Sequence, residues 1–366
     1  MTLRFNLLIL LVLGTQFSEA QVKNLPYGVF YLPAHTSATF QPDDPVEWSL
    51  WSSPLTDPST GLINASTGIT GVCARQSWEE LEPKEGQFNW YYLNTVANKA
   101  ASHGLYFKIC ILCCGNANNA NRDTFWPGWL TTTYKIPTVT LHEPDCSKTV
   151  TNPLPWDSTF EAKVGALAKA IGKRFDANVN LRVVEMTGPG RAEELFFAEN
   201  CNDYNDLVTP YGSNWPTLWQ QACETIAGNY QAAFPTTCIV YSTGVPVPPS
   251  DDPDHDNDND TMAEVITSLN TAYNSGSYIV FGTQDSGYGI NTPVPQWGSK
   301  LQGYQQALPS ATPGTAGEQA IKAYQPPYSG LWFEVYDKNC KDSNSWTDFQ
   351  TMSSATLKTV GTNNYQ

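Results

Sequence analysis

Histidine is scarce in this chain, with four residues at positions 35, 103, 142 and 255 among 366. They are too scattered to suggest a zinc site built on three imidazoles. Basic charge is scarce too. Twenty Lys and Arg face 35 Asp and Glu, for a formal net charge of −15. That balance argues against nucleic acid or an anionic membrane as a partner. No G-x-G-x-x-G follows a strand-like run, and there is no G-x-S-x-G elbow or phosphate-binding Gly-Lys-Ser/Thr. Dinucleotide, serine-hydrolase and nucleotide chemistries therefore lack their usual motifs. Beyond the first twenty residues no run is long and apolar enough for a membrane helix. Nothing implies a cofactor or a metal. The run "DDPDHDNDND" (251–260) lacks the Gly and the spaced Glu of a calcium loop, so it reads as a solvated acidic loop.

What is present begins with "MTLRFNLLILLVLGTQFSEA". Arg4, a short apolar core and the small residues Ser18 and Ala20 predict a secretory signal over 1–20. A single domain over 21–366 follows, outside the cell. Nine cysteines in an oxidising compartment predict some disulfides, with at least one thiol left over. Cys146, Cys201, Cys223 and Cys340 are the expected partners, whereas Cys110 and Cys113 sit in a strand-like run and read as buried thiols. Asn64-Ala65-Ser66 and Asn259-Asp260-Thr261 are glycosylation sequons. Twelve Trp in an acidic chain suit stacking on sugar rings.

Near-continuous apolar runs alternate with helical patterns, the signature of parallel strands buried on both faces. Seven strands are legible, at 27–33, 71–78, 105–114, 181–188, 237–244, 278–284 and 331–336. The size and the alternation predict an α/β fold, a (β/α)8 TIM-like barrel. Residues 285–330 hold no clear strand and no helix is legible between the first two strands, so either one strand of eight is missed or the barrel is irregular. A doubly wound open sheet is the rival. The helix over 158–175 carries Phe160, Val164, Leu167, Ile171 and Phe175 on one stripe, with Ser158 or Thr159 as its cap. Long loops after strands three and four (115–157 and 188–215) would lie at the barrel mouth.

The stretch "GLWFEVYDKNC" (330–340) places an acid, Glu334, among aromatic residues. Strand alternation puts Leu331, Phe333 and Val335 on one face and Trp332, Glu334 and Tyr336 on the other. A carboxylate between rings suits a sugar site. Glycoside hydrolysis needs a second carboxylate from a distant strand end. "LRVVEMTGPGRAEELFF" offers Glu193 and Glu194 beyond a Gly-Pro-Gly elbow. Glu185 lies inside that strand and could instead pair with Lys108. Glu193 or Glu194 could equally be the first turn of a surface helix. Arg75, at the end of strand two, is the expected partner of Glu334, with Glu79 or Glu80 as its plainer partners. Trp78, Trp126, Trp129, Trp156, Trp332, Tyr336 and Gln284 are candidates for binding an oligo- or polysaccharide; the oligomeric state is open.

"GVCARQSWEELEPKEGQFNWYYLNTVANKAASHGLYFKICI" resembles the second-to-third-strand region of clan-A glycoside hydrolases, among them family 42-like β-galactosidases and related uncharacterised secreted barrels. Gly71, Arg75, Trp78, Leu81, Glu82, Pro83, Gly86, Phe88, Trp90, Gly104 and Leu105 carry the likeness. "PLPWDSTFEAKVGALAKAIGKRF" and "FEVYD" extend it. The resemblance implies a (β/α)8 barrel that hydrolyses β-glycosides with retention. Its acid/base follows strand four and its nucleophile ends strand seven. Carried over, Glu194 or Glu193 is the acid/base, Glu334 the nucleophile, on the last legible strand, which is the seventh or the eighth, and Arg75 its partner. The chain lacks the clan's Asn-Glu at strand four. "EMTGPGRAEEL" resembles instead the elbow "E-V-G-L-G-P-A-G-E-L" of β-amylases, which invert. A barrel of this kind that binds glycans without cleaving them is the alternative.

Overall fold

In the computed structural model of the protein, the β-branched and aromatic runs become parallel strands. The structure describes residues 23–32, 67–113, 125–142, 149–188, 210–242, 257–273, 279–282, 304–306, 314–326, 330–340 and 342–362. Strands β1 (Gly28–Leu32), β2 (Ile69–Ser77) and β3 (Tyr106–Leu112) come first; β4 (Thr138–His142) and β5 (Thr149–Pro153) pair as a separate antiparallel hairpin. Then follow β6 (Leu181–Glu185), β7 (Cys238–Ser242), β8 (Ile279–Gly282), β9 (Tyr304–Gln306) and β10 (Trp332–Tyr336). The main sheet has eight strands in the order β8-β7-β6-β3-β2-β1-β10-β9, every neighbouring pair parallel.

That order is cyclic, with the first strand beside the last. β8 and β9 also approach within 8 Å at Cα, so the sheet curls round to a (β/α)8 barrel and the doubly wound arrangement is ruled out. The eighth strand is β9, hidden in the sequence because its three residues, Tyr-Gln-Gln, carry no apolar alternation. β10 is therefore the eighth strand of the barrel, and Glu334 lies on the eighth strand, not on the seventh. The β4–β5 hairpin is a second difference, since it falls in a stretch expected to be loop. Its alternating "TVT" pieces are the strand signal that identifies it.

Alternation along the strands separates two kinds of core. Val29, Val72, Ile109, Val184, Tyr241 and Phe333 belong to the large cluster shared with the helices. Their neighbours point into the barrel. Phe30, Val183, Cys238, Val240, Val280 and Trp332 form one apolar layer there. Leu32, Cys73, Cys110 and Leu112, with Phe125 and Tyr336, form another toward the strand C-termini. The expected split of the 331–336 run holds for Phe333 and Val335 on the helix side and for Trp332 and Tyr336 inside. Leu331, just before the strand, packs instead with the interior layer.

Helix Ser158–Phe175 buries the predicted stripe of Phe160, Val164, Leu167, Ile171 and Phe175. Its cap is Asp157 rather than Ser158 or Thr159, because the Asp157 carboxylate accepts from both Thr159 N and Phe160 N at 3.0 Å. Helix Asn257–Tyr273 begins inside the acidic run expected to be loop. Asp and Asn side chains suit a helix start, where the backbone N–H groups are unpaired and the dipole is positive. The Asn259 sequon thus lies in this helix; Asn64 falls outside the described residues. No described helix is long and apolar enough to cross a membrane.

Six cysteines, Cys73, Cys110, Cys113, Cys223, Cys238 and Cys340, are buried and form no disulfide. Cys110 and Cys113 meet their expectation. Cys223 and Cys340 do not pair: Cys223 Sγ donates to Tyr241 Oη at 3.6 Å and Cys340 Sγ to the Val335 carbonyl at 3.6 Å. Burial pushes the Cys223 thiol up to about 12, so it behaves as a small apolar side chain. Cys146 and Cys201 lie outside the described residues.

Candidate active site

Lys108 extends from β3 into the barrel and is wholly buried. A lone ammonium there would carry a large desolvation penalty, so it must find carboxylates. It finds two. Its Nζ lies 2.5 Å from Glu185 Oε2 on β6 and 2.7 Å from Glu334 Oε1 on β10, and both acids are only 2 % exposed. The sequence expectation that Glu185 could pair with Lys108 is met, and Glu334 joins the same cation from across the barrel.

Trp332 sits two residues before Glu334 and so on the same strand face. Its indole Nε1 donates to Glu334 Oε1 at 3.0 Å. Both donors therefore converge on Oε1, and neither bond uses Oε2. Burial pushes the Glu334 carboxyl above the ordinary glutamate range; Lys108 pulls it back by charge and by hydrogen bond, Glu185 pushes it further up, and the Trp332 bond lowers it. The net direction is upward. The contact geometry favours the ionised form, because two donors on one oxygen oppose a proton there.

Arg75 is buried near the C-terminal end of β2. Burial works against its charge, but Tyr336, Cys110, Cys73 and Glu185 outweigh it and hold the guanidinium firmly protonated. The acid acting on its charge is Glu185. The cation in contact with Glu334 is Lys108, not the Arg75 expected from sequence. Lys108 was legible only as a possible partner of Glu185, because strand order alone does not say which residue crosses the barrel. Cys73, also on β2, faces the same cluster, and burial keeps its thiol neutral.

The end of β6 is pinned where the chain leaves the barrel. Met186 N donates to the Val240 carbonyl at 2.9 Å, Thr187 Oγ1 to the Ile111 carbonyl at 2.8 Å, and Thr187 N to Tyr230 Oη at 3.1 Å. Gly188 follows with φ +132°, a conformation that a side chain would strain, and a Cβ there would meet Ile226 Cδ1 at 2.8 Å. The predicted elbow thus starts from a fixed point. Glu193, Glu194 and Gln284 lie outside the described residues.

The aromatic candidates separate. Tyr336 is partly buried beside the layer at the strand C-termini. Trp332 is wholly buried and serves Glu334 rather than a sugar face. Trp78 is also wholly buried, on the helix side of the sheet, where its ring meets Trp129 at 6.0 Å and Phe160 at 6.2 Å. It presents no face to a ligand. Its Nε1 donates to Glu82 Oε2 at 2.8 Å, Gly86 N donates to Glu82 Oε1 at 2.7 Å, and Trp129 Nε1 donates to the Glu82 carbonyl at 3.1 Å. The Leu-Glu-Pro motif is therefore a packing device, and Trp78 and Trp129 belong to it. Trp126 Nε1 holds the hairpin through the Thr151 carbonyl at 3.1 Å, and the Trp156 ring packs on Tyr211 at 5.2 Å. A groove of about 630 Å³ on the outer wall, lined by Phe88, Trp90, Asn94 and Arg174 among others, holds none of the candidate acids. Among the described residues no cluster of His, Cys, Asp and Glu could hold a metal ion.

No protein-family model and no curated protein sequence matches the chain. Among solved structures it is similar to the catalytic domain of beta-amylase from Paenibacillus polymyxa, with a TM-score of 0.62 and 13 % identity over 91 % of this chain and 98 % of that one. It is also similar to a beta-galactosidase from Rahnella sp. R3, with a TM-score of 0.55 and 10 % identity over 94 % of this chain and 57 % of that one. The chain therefore has the (β/α)8 barrel fold on which these two glycosidases are built.

Proposed function

We propose that the protein is a secreted glycoside hydrolase that cleaves β-glycosidic bonds of an oligo- or polysaccharide with two glutamates. The observation that carries this reading is Glu334, turned into the barrel and held by one oxygen from Lys108 and Trp332. Its second oxygen is the atom offered to the sugar carbon. The other carboxylate is Glu194 or Glu193, a few residues along the sequence from the pinned end of β6. That acid protonates the leaving oxygen as the glycosidic bond breaks while Glu334 bonds to the sugar carbon; the same acid, now a base, then takes a proton from a water that displaces Glu334 and releases the sugar. Glu185 is engaged by Lys108 and takes no direct part. The composition of residues 1–20, with Arg4 and a short apolar run that read as a secretory signal, supports secretion.

The acid/base is tested by Glu194→Gln and Glu193→Gln, each assayed on a natural glycan and on aryl glycosides with good leaving groups. A variant that has lost the acid should fail on the glycan and keep much of its rate on the aryl substrate, which needs little protonation. Full turnover of the glycan by both variants would remove the assignment.

One observation favours a second reading, a glycan-binding barrel without turnover. Lys108 fills the space between Glu185 and Glu334, so these two described acids cannot together flank a sugar bond. Binding of oligosaccharides with no product release would select it.

A further inference from the structure

Among the described residues, Arg75, Lys108, Glu185 and Glu334 are four charged side chains gathered inside one barrel, from β2, β3, β6 and β10. Two cations meet two carboxylates, so the cluster is formally neutral when all are ionised. A structural ion pair needs only two members. Here Lys108 touches a neighbour-strand acid, Glu185, and also reaches Glu334 on a strand separated from its own by β2 and β1.

We infer that Lys108 is a positioning residue that aims Glu334 at the substrate, and that Glu185 is its standing counter-ion, keeping the ammonium paired whenever Glu334 gives up its charge. This rests on the hydrolase reading of the same site. A working carboxylate loses its charge when it takes a proton or meets a developing cation. An ammonium with that carboxylate as sole partner would be left as an uncompensated buried charge. With Glu185 at 2.5 Å, Lys108 keeps a partner throughout. The bond from Trp332 to the same Oε1 then fixes the rotation of the Glu334 carboxyl.

The titratable groups facing Glu334 are Lys108, Glu185 and Cys73, with Arg75 next to the last two. Its strand neighbours Phe30 and Gln306 carry none. Of these, Lys108 favours the ionised carboxylate and Glu185 opposes it. The test is a pH titration of Glu334 by NMR in protein labelled with 13C at the glutamate carboxyl, the signal being assigned by its loss in Glu334→Gln.

Lys108→Gln should move the Glu334 titration up, Glu185→Gln should move it down, and Lys108→Arg should restore it toward wild type. If Lys108→Gln does not fold, the charge-balanced pair Lys108→Gln with Glu185→Gln replaces it. Its titration should still move up, because Lys108 touches Glu334 Oε1 at 2.7 Å whereas Glu185 meets the ammonium and not Glu334. In turnover, Lys108→Gln or that pair should lower kcat on the order of a hundredfold with KM little changed, and the acid limb of kcat/KM should follow the NMR shift. A Glu334 titration unmoved by these changes, or moved the same way by both single variants, overturns the inference. A wild-type protein that hydrolyses nothing while the NMR shifts appear as stated sinks the hydrolase reading and leaves the Lys108–Glu334 coupling standing.

Discussion

Glu334→Gln is expected to lower kcat on a cleavable glycan by roughly 10²- to 10⁴-fold, the range for removing a positioned carboxylate, while the protein stays folded. Glutamine is close to isosteric, and its amide oxygen can still accept from Trp332 and Lys108, the two donors that meet Glu334 Oε1 in the wild type. Lys108 keeps Glu185, so no buried charge is orphaned. The stability change should be about 1 kcal/mol, the net worth of one hydrogen bond, read as the urea midpoint. The pH profile gives a second reading of the same residue. The Glu334 carboxyl is raised above the ordinary 4.5. The acid limb of kcat/KM should therefore lie above that value, with activity lost as the pH falls through it. A Glu334→Gln protein within tenfold of wild-type kcat and equally stable would show that this carboxylate does no chemistry.

Lys108→Met should have the largest effect on stability. It leaves Glu185 and Glu334, each 2 % exposed, facing one another without their shared cation. Breaking a buried ion pair by removing one partner costs about 3–5 kcal/mol, much of the stability of an ordinary domain. The sign of its pH dependence follows. Losing the ammonium raises the folded-state value of the Glu334 carboxyl further, so the folded chain holds that proton more tightly than the unfolded one. The variant should be most stable below the unfolded value of 4.5 for Glu334, and lose stability as the pH rises through the raised value. Urea midpoints at acid and neutral pH read this directly. A deficit equal at both would mean that lost packing, not charge, is responsible.

The barrel was largely legible because parallel strands buried on both faces read as apolar runs, and seven of the eight strands did. β9 was not, because a three-residue polar strand is held by its neighbours β10 and β8 rather than by its own propensity. Strict alternation placed Glu334 on the face of Trp332 and Tyr336 but left open whether that face met the barrel interior or water. The partner of Glu334 was not legible. Which residue on a distant strand crosses the barrel depends on stagger and side-chain length, and a lysine spanning from β3 to β10 leaves no local pattern. The tryptophans misled for a related reason. The same residues that stack on sugars also fill cores, and the hydrogen bonds from Trp78 and Trp129 to Glu82 are invisible until the Leu-Glu-Pro turn is folded.

The most direct test of the central claim, that this barrel breaks glycosidic bonds at Glu334, is a product assay with purified wild-type protein and Glu334→Gln in parallel. The panel should span aryl β-glycosides, β-glucans and α-glucans, followed by proton NMR of the released sugar. The account predicts that wild type releases product from at least one substrate, initially as a single anomer, and that the variant releases none over the same time. Glycans that bind both proteins alike and remain intact would contradict it.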